Sequence, residues 1–197
     1  DVISSHQVDI SQVVATAGTA MTENHLRALV RLSSHVRLAF DGDKAGLAAT
    51  ERAIGIAQRV RVDLSIVSMP EGFKDPDELI QADPTRWATV IDRTRPAIEW
   101  VIDQYEARGD MSTAVGKRQL TTATLQLLKI VEDPVEREHY LRILSKKTDT
   151  SLNALEERFR QSEFNTEAKQ LKTVKGEVEV LKENIQQDYL LALMSIE

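Results

Sequence analysis

Two pairs of carboxylates carry the chemistry this sequence offers. Asp41 and Asp43 stand one residue apart in Phe40-Asp41-Gly42-Asp43-Lys44-Ala45-Gly46, after an apolar run and before a helical one, and Asp75 and Asp77 repeat the spacing in Lys74-Asp75-Pro76-Asp77-Glu78. In extended chain, residues i and i+2 point to one side, and Gly42 lets the backbone turn with no side chain in the way. Carboxylates held together repel, and a hard divalent cation with oxygen ligands relieves the repulsion. The spacing therefore suggests Mg2+ or Mn2+ at Asp41, Asp43, Asp75 and Asp77. Each pair also has a local reading. Asp43 suits the N-cap of a helix starting at Lys44, and Asp75 suits an N-cap with Pro76 at the first helical position. Two pairs leaving neighbouring strands at one sheet edge favour the cation, and clamps of this kind serve phosphoryl transfer by aligning attacking and leaving oxygens.

The elements that must position these carboxylates are legible as alternating strands and helices. A short helix or its end covers residues 1–7, and Val13, Val14, Ala15 and Thr16 read as a buried strand that turns at Gly18 and Thr19. Thr22 caps a helix with Leu26, Leu29 and Val30 on its apolar face. A second strand spans 36–40 and a second helix runs from Lys44 to about Gln58. The third strand, 62–67, alternates Val62, Leu64 and Ile66 with Asp63 and Ser65, the pattern of a strand with one wet face. Strand, helix, strand, helix, strand predicts a parallel sheet with right-handed crossovers. That order sends Gly18-Thr19, Asp41-Gly42-Asp43 and the Asp75 loop out at one edge, where open α/β sheets bind ligands.

Beyond residue 84 the strand pattern stops. Pro84 and Pro96 each open a helix, Leu120, Ala123, Leu127 and Ile130 mark another, and stretches 135–145 and 151–159 complete a small bundle. The amphipathic stretch 163–187 reads as a solvated linker helix. The chain stops at an apolar stretch, 189–197, and opens on Asp1 without a methionine, so both ends are expected to be cuts.

Composition narrows the classes. With 31 acidic and 25 basic side chains in 197 residues, the chain is mildly acidic, which argues against a generally basic nucleic-acid surface. The absence of cysteine excludes a disulfide framework or zinc-thiolate site within this stretch. No apolar run reaches membrane-spanning length and no signal peptide opens the chain, so a cytoplasmic protein is expected. His6, His25, His35 and His139 have neither ligand nor triad spacing. Gly18 fits no phosphate-loop pattern, and Lys44 reads either as a phosphate contact or as a solvated first-turn lysine.

The run Asp41-Gly42-Asp43-x-Ala45-Gly46, the Gly18-Thr19 turn, and Met69-Pro70-Glu71-Gly72 leading into Lys74-Asp75-Pro76-Asp77-Glu78-Leu79 resemble the Toprim domain of bacterial DNA primases of the DnaG type. Asp133-Pro134-Val135-Glu136-Arg137 with Leu144-Ser145 resembles the helical subdomain that follows it. The resemblance implies an α/β Toprim-like parallel sheet, partial here, then an all-α helical bundle. The domains would be 1–90 for Toprim without its N-terminal portion, 91–162 for the bundle, 163–186 for the linker and 187–197 for the start of a helicase-binding domain.

It further implies a template-directed RNA polymerase that makes short RNA primers. Asp41 and Asp43 would be catalytic, Asp41, Asp43, Asp75 and Asp77 would be metal-binding, and Asp1, Gly18, Thr19, Gly42, Lys44 and Gly46 would support the site. Asp1 would end the family's Glu-Gly-Tyr-Met-Asp segment, whose glutamate would lie upstream. The implied partners are single-stranded DNA template, ribonucleotides and a replicative helicase bound through a C-terminal domain, with no membrane. Mg2+ or Mn2+ would be the cofactor and zinc would belong only to an N-terminal domain. This stretch alone is expected to be inactive. Two other readings stay open: a non-catalytic Toprim-like interaction module, and part of a Toprim nuclease or topoisomerase.

Overall fold

The computed structural model describes residues 1–16, 21–39 and 44–162. The chain divides into two compact units, Asp1–Thr150 and Ser151–Glu197. In the second, residues 152–162 are helical; the expectations for 163–187 and 189–194 fall outside the described residues.

In the first unit the order is α1 (Val2–Gln7), α2 (Glu23–Leu29), β1 (His35–Leu38), α3 (Lys44–Val60), β2 (Asp63–Val67), α4 (Pro76–Ala82), α5 (Pro84–Asp92), β3 (Thr94–Pro96), α6 (Ala97–Arg108), α7 (Ala114–Leu128) and α8 (Pro134–Thr148). β1 and β2 are parallel, with Val36 opposite Leu64 and Leu38 opposite Ile66, so both strands end at one edge as expected. Their crossover helix α3 buries Leu47, Ala53, Ile54 and Ala57. Thr22 caps α2 by accepting the His25 N–H (3.3 Å), and Glu23 reaches Arg59 on α3 (3.3 Å).

Three expectations are corrected. Residues 11–16 form no strand, and Val14 is 66% exposed. A β-branched run becomes a strand only where an edge pairs with it, and among the described residues no ladder bond reaches this run. The third strand is instead β3, which runs antiparallel to β2 with Ser65 opposite Pro96 and Val67 opposite Thr94, so the sheet is mixed and ordered β1-β2-β3. Its three residues carry too little pattern to be read as a strand, and Pro96 is tolerated because it closes an edge strand. β2 keeps only the start of its expected wet face, with Asp63 exposed. It is the middle strand, with α3, α5 and α6 against it. Ser65 is accordingly buried, and its hydroxyl meets His35 Nε2 at 2.7 Å.

Past the sheet, Ile98, Val101 and Ile102 of α6, Leu120, Leu125 and Leu128 of α7, and Tyr140, Leu141 and Leu144 of α8 are buried. Lys147 on α8 pairs with Asp103 (2.8 Å) and Glu106 on α6. Asp133 caps α8, accepting the N–H groups of Val135 and Glu136 at 2.8 Å each.

Asp83 joins α4 to α5. Its N–H closes α4 on the Leu79 carbonyl (2.8 Å), while its carboxylate accepts the Thr85 hydroxyl (2.7 Å) and the N–H groups of Thr85 (3.1 Å) and Arg86 (3.2 Å). The Thr85 hydroxyl above all, then these N–H groups, hold its carboxyl below the ordinary aspartate value. A depressed carboxyl contributes its stability above the ordinary value and loses it as the pH falls through the lowered one. Asp83→Ala should therefore lower the unfolding temperature at neutral pH. The gap from the parent protein should close as the pH falls below 3.8, the ordinary value. Melting curves at several pH values check this, and a gap independent of pH would refute it.

Candidate functional site

Asp75 and Asp77 sit at the N-terminal end of α4, beyond the end of β2. The local fold follows from residue type. Asp75 takes extended backbone and accepts the Glu78 N–H on Oδ1 (2.8 Å), and Pro76 occupies the first helical position, where an N–H would have no partner. The Glu78 carboxylate turns back to accept the Lys74 N–H (2.9 Å). The capping reading of Asp75 is thus correct for one of its oxygens.

Asp77 is held differently. Its Oδ1 accepts the Ser4 hydroxyl from α1, and its Oδ2 accepts the Gln81 side-chain amide one turn along α4 (2.7 Å). Asp1 is the N-cap of α1, yet its side chain caps nothing in α1. Asp1 Oδ1 instead accepts the Asp77 N–H at 3.3 Å, one of the amides a helix start leaves without an internal partner. Asp1 and Asp77, 76 residues apart, are thereby brought together. Below them, the buried Trp87 of α5 donates its indole N–H to Ser5 Oγ (3.1 Å), and Ser5 donates to the Asp1 carbonyl (2.8 Å). Trp87 lies in an apolar cluster with Val67, Leu79, Ile80 and Val90, edged by Val8, Ile10 and Phe73. The Arg86 guanidinium stacks over the Phe73 ring, 5.6 Å from its centre.

Of the other expected site residues, Asp41, Gly42, Asp43, Gly18 and Thr19 lie outside the described residues. Lys44 opens α3, and the buried Gly46 has its carbonyl accepting the Thr50 hydroxyl (2.8 Å). Among the described residues no three His, Asp or Glu side chains converge as a metal-holding group. The acidic edge nevertheless fits a cation. No ion pair among the described residues touches Asp1, Asp75 or Asp77. Both donors to Asp77 side-chain oxygens are neutral, which leaves its charge uncancelled and further lone pairs open. Ser4, Ser5 and Trp87 were not singled out from the sequence, because their contacts span 73 and 82 residues. Gln81 alone carried a local signal, four residues after Asp77 on one helix face.

This sheet with its acidic helix is Toprim-like: the family described as Toprim-like matches residues 1–80. A second family, described as the DnaB-helicase binding domain of primase, matches residues 98–153, from α6 through α8. The DNA primase of Rickettsia bellii is 33% identical over 92% of this chain and 28% of its own length. A solved DNA primase domain from Pseudomonas aeruginosa superposes with a TM-score of 0.64 at 30% identity, over 79% of this chain and 50% of that one. A DnaG primase catalytic domain bound to single-stranded DNA gives 0.64 at 26% identity, over 76% of this chain and 48% of that one. The chain belongs to the bacterial DnaG-type DNA primases. It spans about a quarter of the length of the curated relatives it matches.

Proposed function

We propose that this chain supplies part of the metal-dependent nucleotidyl-transfer site of a replicative primase, a template-directed RNA polymerase that joins ribonucleotides into short primers on single-stranded DNA. The observation that carries the reading is the charged, neutrally hydrogen-bonded Asp77 carboxylate beside Asp1 at the edge where the parallel strands end. Asp41, Asp43, Asp75 and Asp77 would hold Mg2+ or Mn2+, with Asp41 and Asp43 acting directly on the reaction and Asp1, Gly18, Thr19, Gly42, Lys44 and Gly46 supporting them. Such an ion aligns attacking and leaving oxygens and offsets the charge that develops on phosphate. The chain's own residues fix where it can sit. Asp75 spends one oxygen on starting α4, Asp77 is aimed by α1, and Asp1 holds the first turn of α4 in place.

The DNA-bound relative supports the template, and the family matched over 98–153 supports a helicase partner. We assign residues 1–90 to the Toprim part, 91–162 to the helical bundle, 163–186 to a linker and 187–197 to the start of a helicase-binding domain. Zinc belongs to an N-terminal domain beyond this stretch. Among the described residues no helix is long and apolar enough to cross a membrane, and we place the protein in the cytoplasm.

The test uses the full-length gene product. Mn2+ binding followed by electron paramagnetic resonance should weaken at least ~10-fold in Asp41→Asn and again in Asp75→Asn, and both should lose primer synthesis on single-stranded DNA. Unchanged Mn2+ affinity in both would overturn the reading and leave the acidic pairs as caps of a non-catalytic interaction module. Cleavage of DNA strands in place of primer synthesis would point to a nuclease or topoisomerase.

A further inference from the structure

We infer that Ser4 is a positioning residue for the Asp77 carboxylate, an inference that rests on the metal reading above. A half-buried carboxylate in the first turn of a helix has several rotamers within reach, and a cation ligand serves best when it is held in one of them. Here each oxygen has one donor, Ser4 Oγ on Oδ1 and the Gln81 amide on Oδ2, so the carboxylate plane is fixed from both sides. Gln81 belongs to the same helix and is exposed, so it moves with Asp77. Ser4 comes from another element and is half-buried, which makes it the fixed reference.

Successive helical residues point about 100° apart, so Ser4 and Ser5 divide the labour. Ser5 turns inward to the Trp87 indole and anchors α1, while Ser4 turns toward α4 and aims Asp77. A neutral hydroxyl suits this role because it orients the carboxylate without cancelling the charge a cation needs, as an arginine or lysine would. Partners that hold ligating carboxylates in this way change metal affinity about 10- to 100-fold when removed.

The experiment compares Mn2+ binding and metal-free unfolding in the full-length gene product. Ser4→Ala should weaken Mn2+ at least ~10-fold, with the metal-free unfolding midpoint unchanged. Ser4→Thr, which keeps the hydroxyl, should restore the affinity. Full Mn2+ affinity in Ser4→Ala overturns the inference, as does a loss that Ser4→Thr fails to restore or one that tracks a fall in the metal-free midpoint. Asp77→Asn separates the two readings. If it leaves Mn2+ binding intact, the metal assignment itself fails; if it abolishes binding while Ser4→Ala does not, only the positioning role fails.

Discussion

Trp87→Ala should cost the fold about 3–5 kcal/mol, read as a fall in the urea midpoint at unchanged slope. The indole is 3% exposed and fills the space between β2 and the two helices that follow it, against Val67, Leu79, Ile80 and Val90. Its removal leaves a cavity that these neighbours can only partly close, and it also strips Ser5, itself fully buried, of the N–H that anchors α1. Against a total stability of about 5–15 kcal/mol for a domain, that loss is a large fraction. Trp87→Phe separates the contributions. It keeps most of the apolar volume but leaves Ser5 Oγ without its donor, which costs about 1–3 kcal/mol. A loss below about 1 kcal/mol in Trp87→Ala would mean that the cluster does not hold α1 and α5 together.

Gly116→Ala should be as damaging, with a sign opposite to intrinsic propensity. In a solvated helix interior the exchange gains about 1 kcal/mol. Here Gly116 is the third residue of α7, and a Cβ would stand 2.0 Å from the Asp110 carbonyl oxygen, 2.7 Å from its carbon and 3.0 Å from its nitrogen. That backbone is not free to retreat, because the carbonyl accepts both the N–H (3.1 Å) and the hydroxyl (2.9 Å) of Thr113, the cap of α7. The Asp110 carboxylate in turn holds Ser112 through N–H (2.9 Å) and hydroxyl (2.6 Å). Relief requires unwinding the start of α7, so the expected loss is about 3 kcal/mol, the upper end of what overpacking usually costs. Gly109→Ala is the control. Its Cβ would come too close only to the tip of Met111, at 2.6 Å, which can swing away, and would touch the Tyr105 carbonyl oxygen at an ordinary 3.5 Å. A denaturant midpoint that rises in Gly116→Ala would show that the close approach is not present in solution.

What could be read from the sequence divides along a physical line. Features set by neighbours in the chain were legible: Thr22 and Asp75 as caps, Pro76 and Pro84 inside helix starts, and the crossover from β1 through α3 to β2. Features set by distant partners were not. Residues 13–16 have the composition of a strand but no pairing edge in the described fold, while Thr94, Arg95 and Pro96 look like a loop and become a strand because β2 offers one. Ser65 alternates like a surface position and is buried, because its strand is the middle one and α3, α5 and α6 pack on it. At the candidate site Asp75 and Asp77 announce themselves by spacing, and Asp1 only through the family resemblance. The serines that aim and anchor them do not, since a serine pair in a short helix carries no pattern.

The long reach of α1 also bears on how the protein is made. Ser5 leaves the ribosome 82 residues ahead of the tryptophan that anchors it. At about 5–20 residues per second, α1 waits roughly 4–16 s for a surface to dock on. A six-residue helix has no stability of its own in that interval. The acidic edge is therefore anchored late in synthesis, only after α5 has emerged, and a nascent chain halted before Trp87 holds every described carboxylate of the site but lacks the indole that anchors α1.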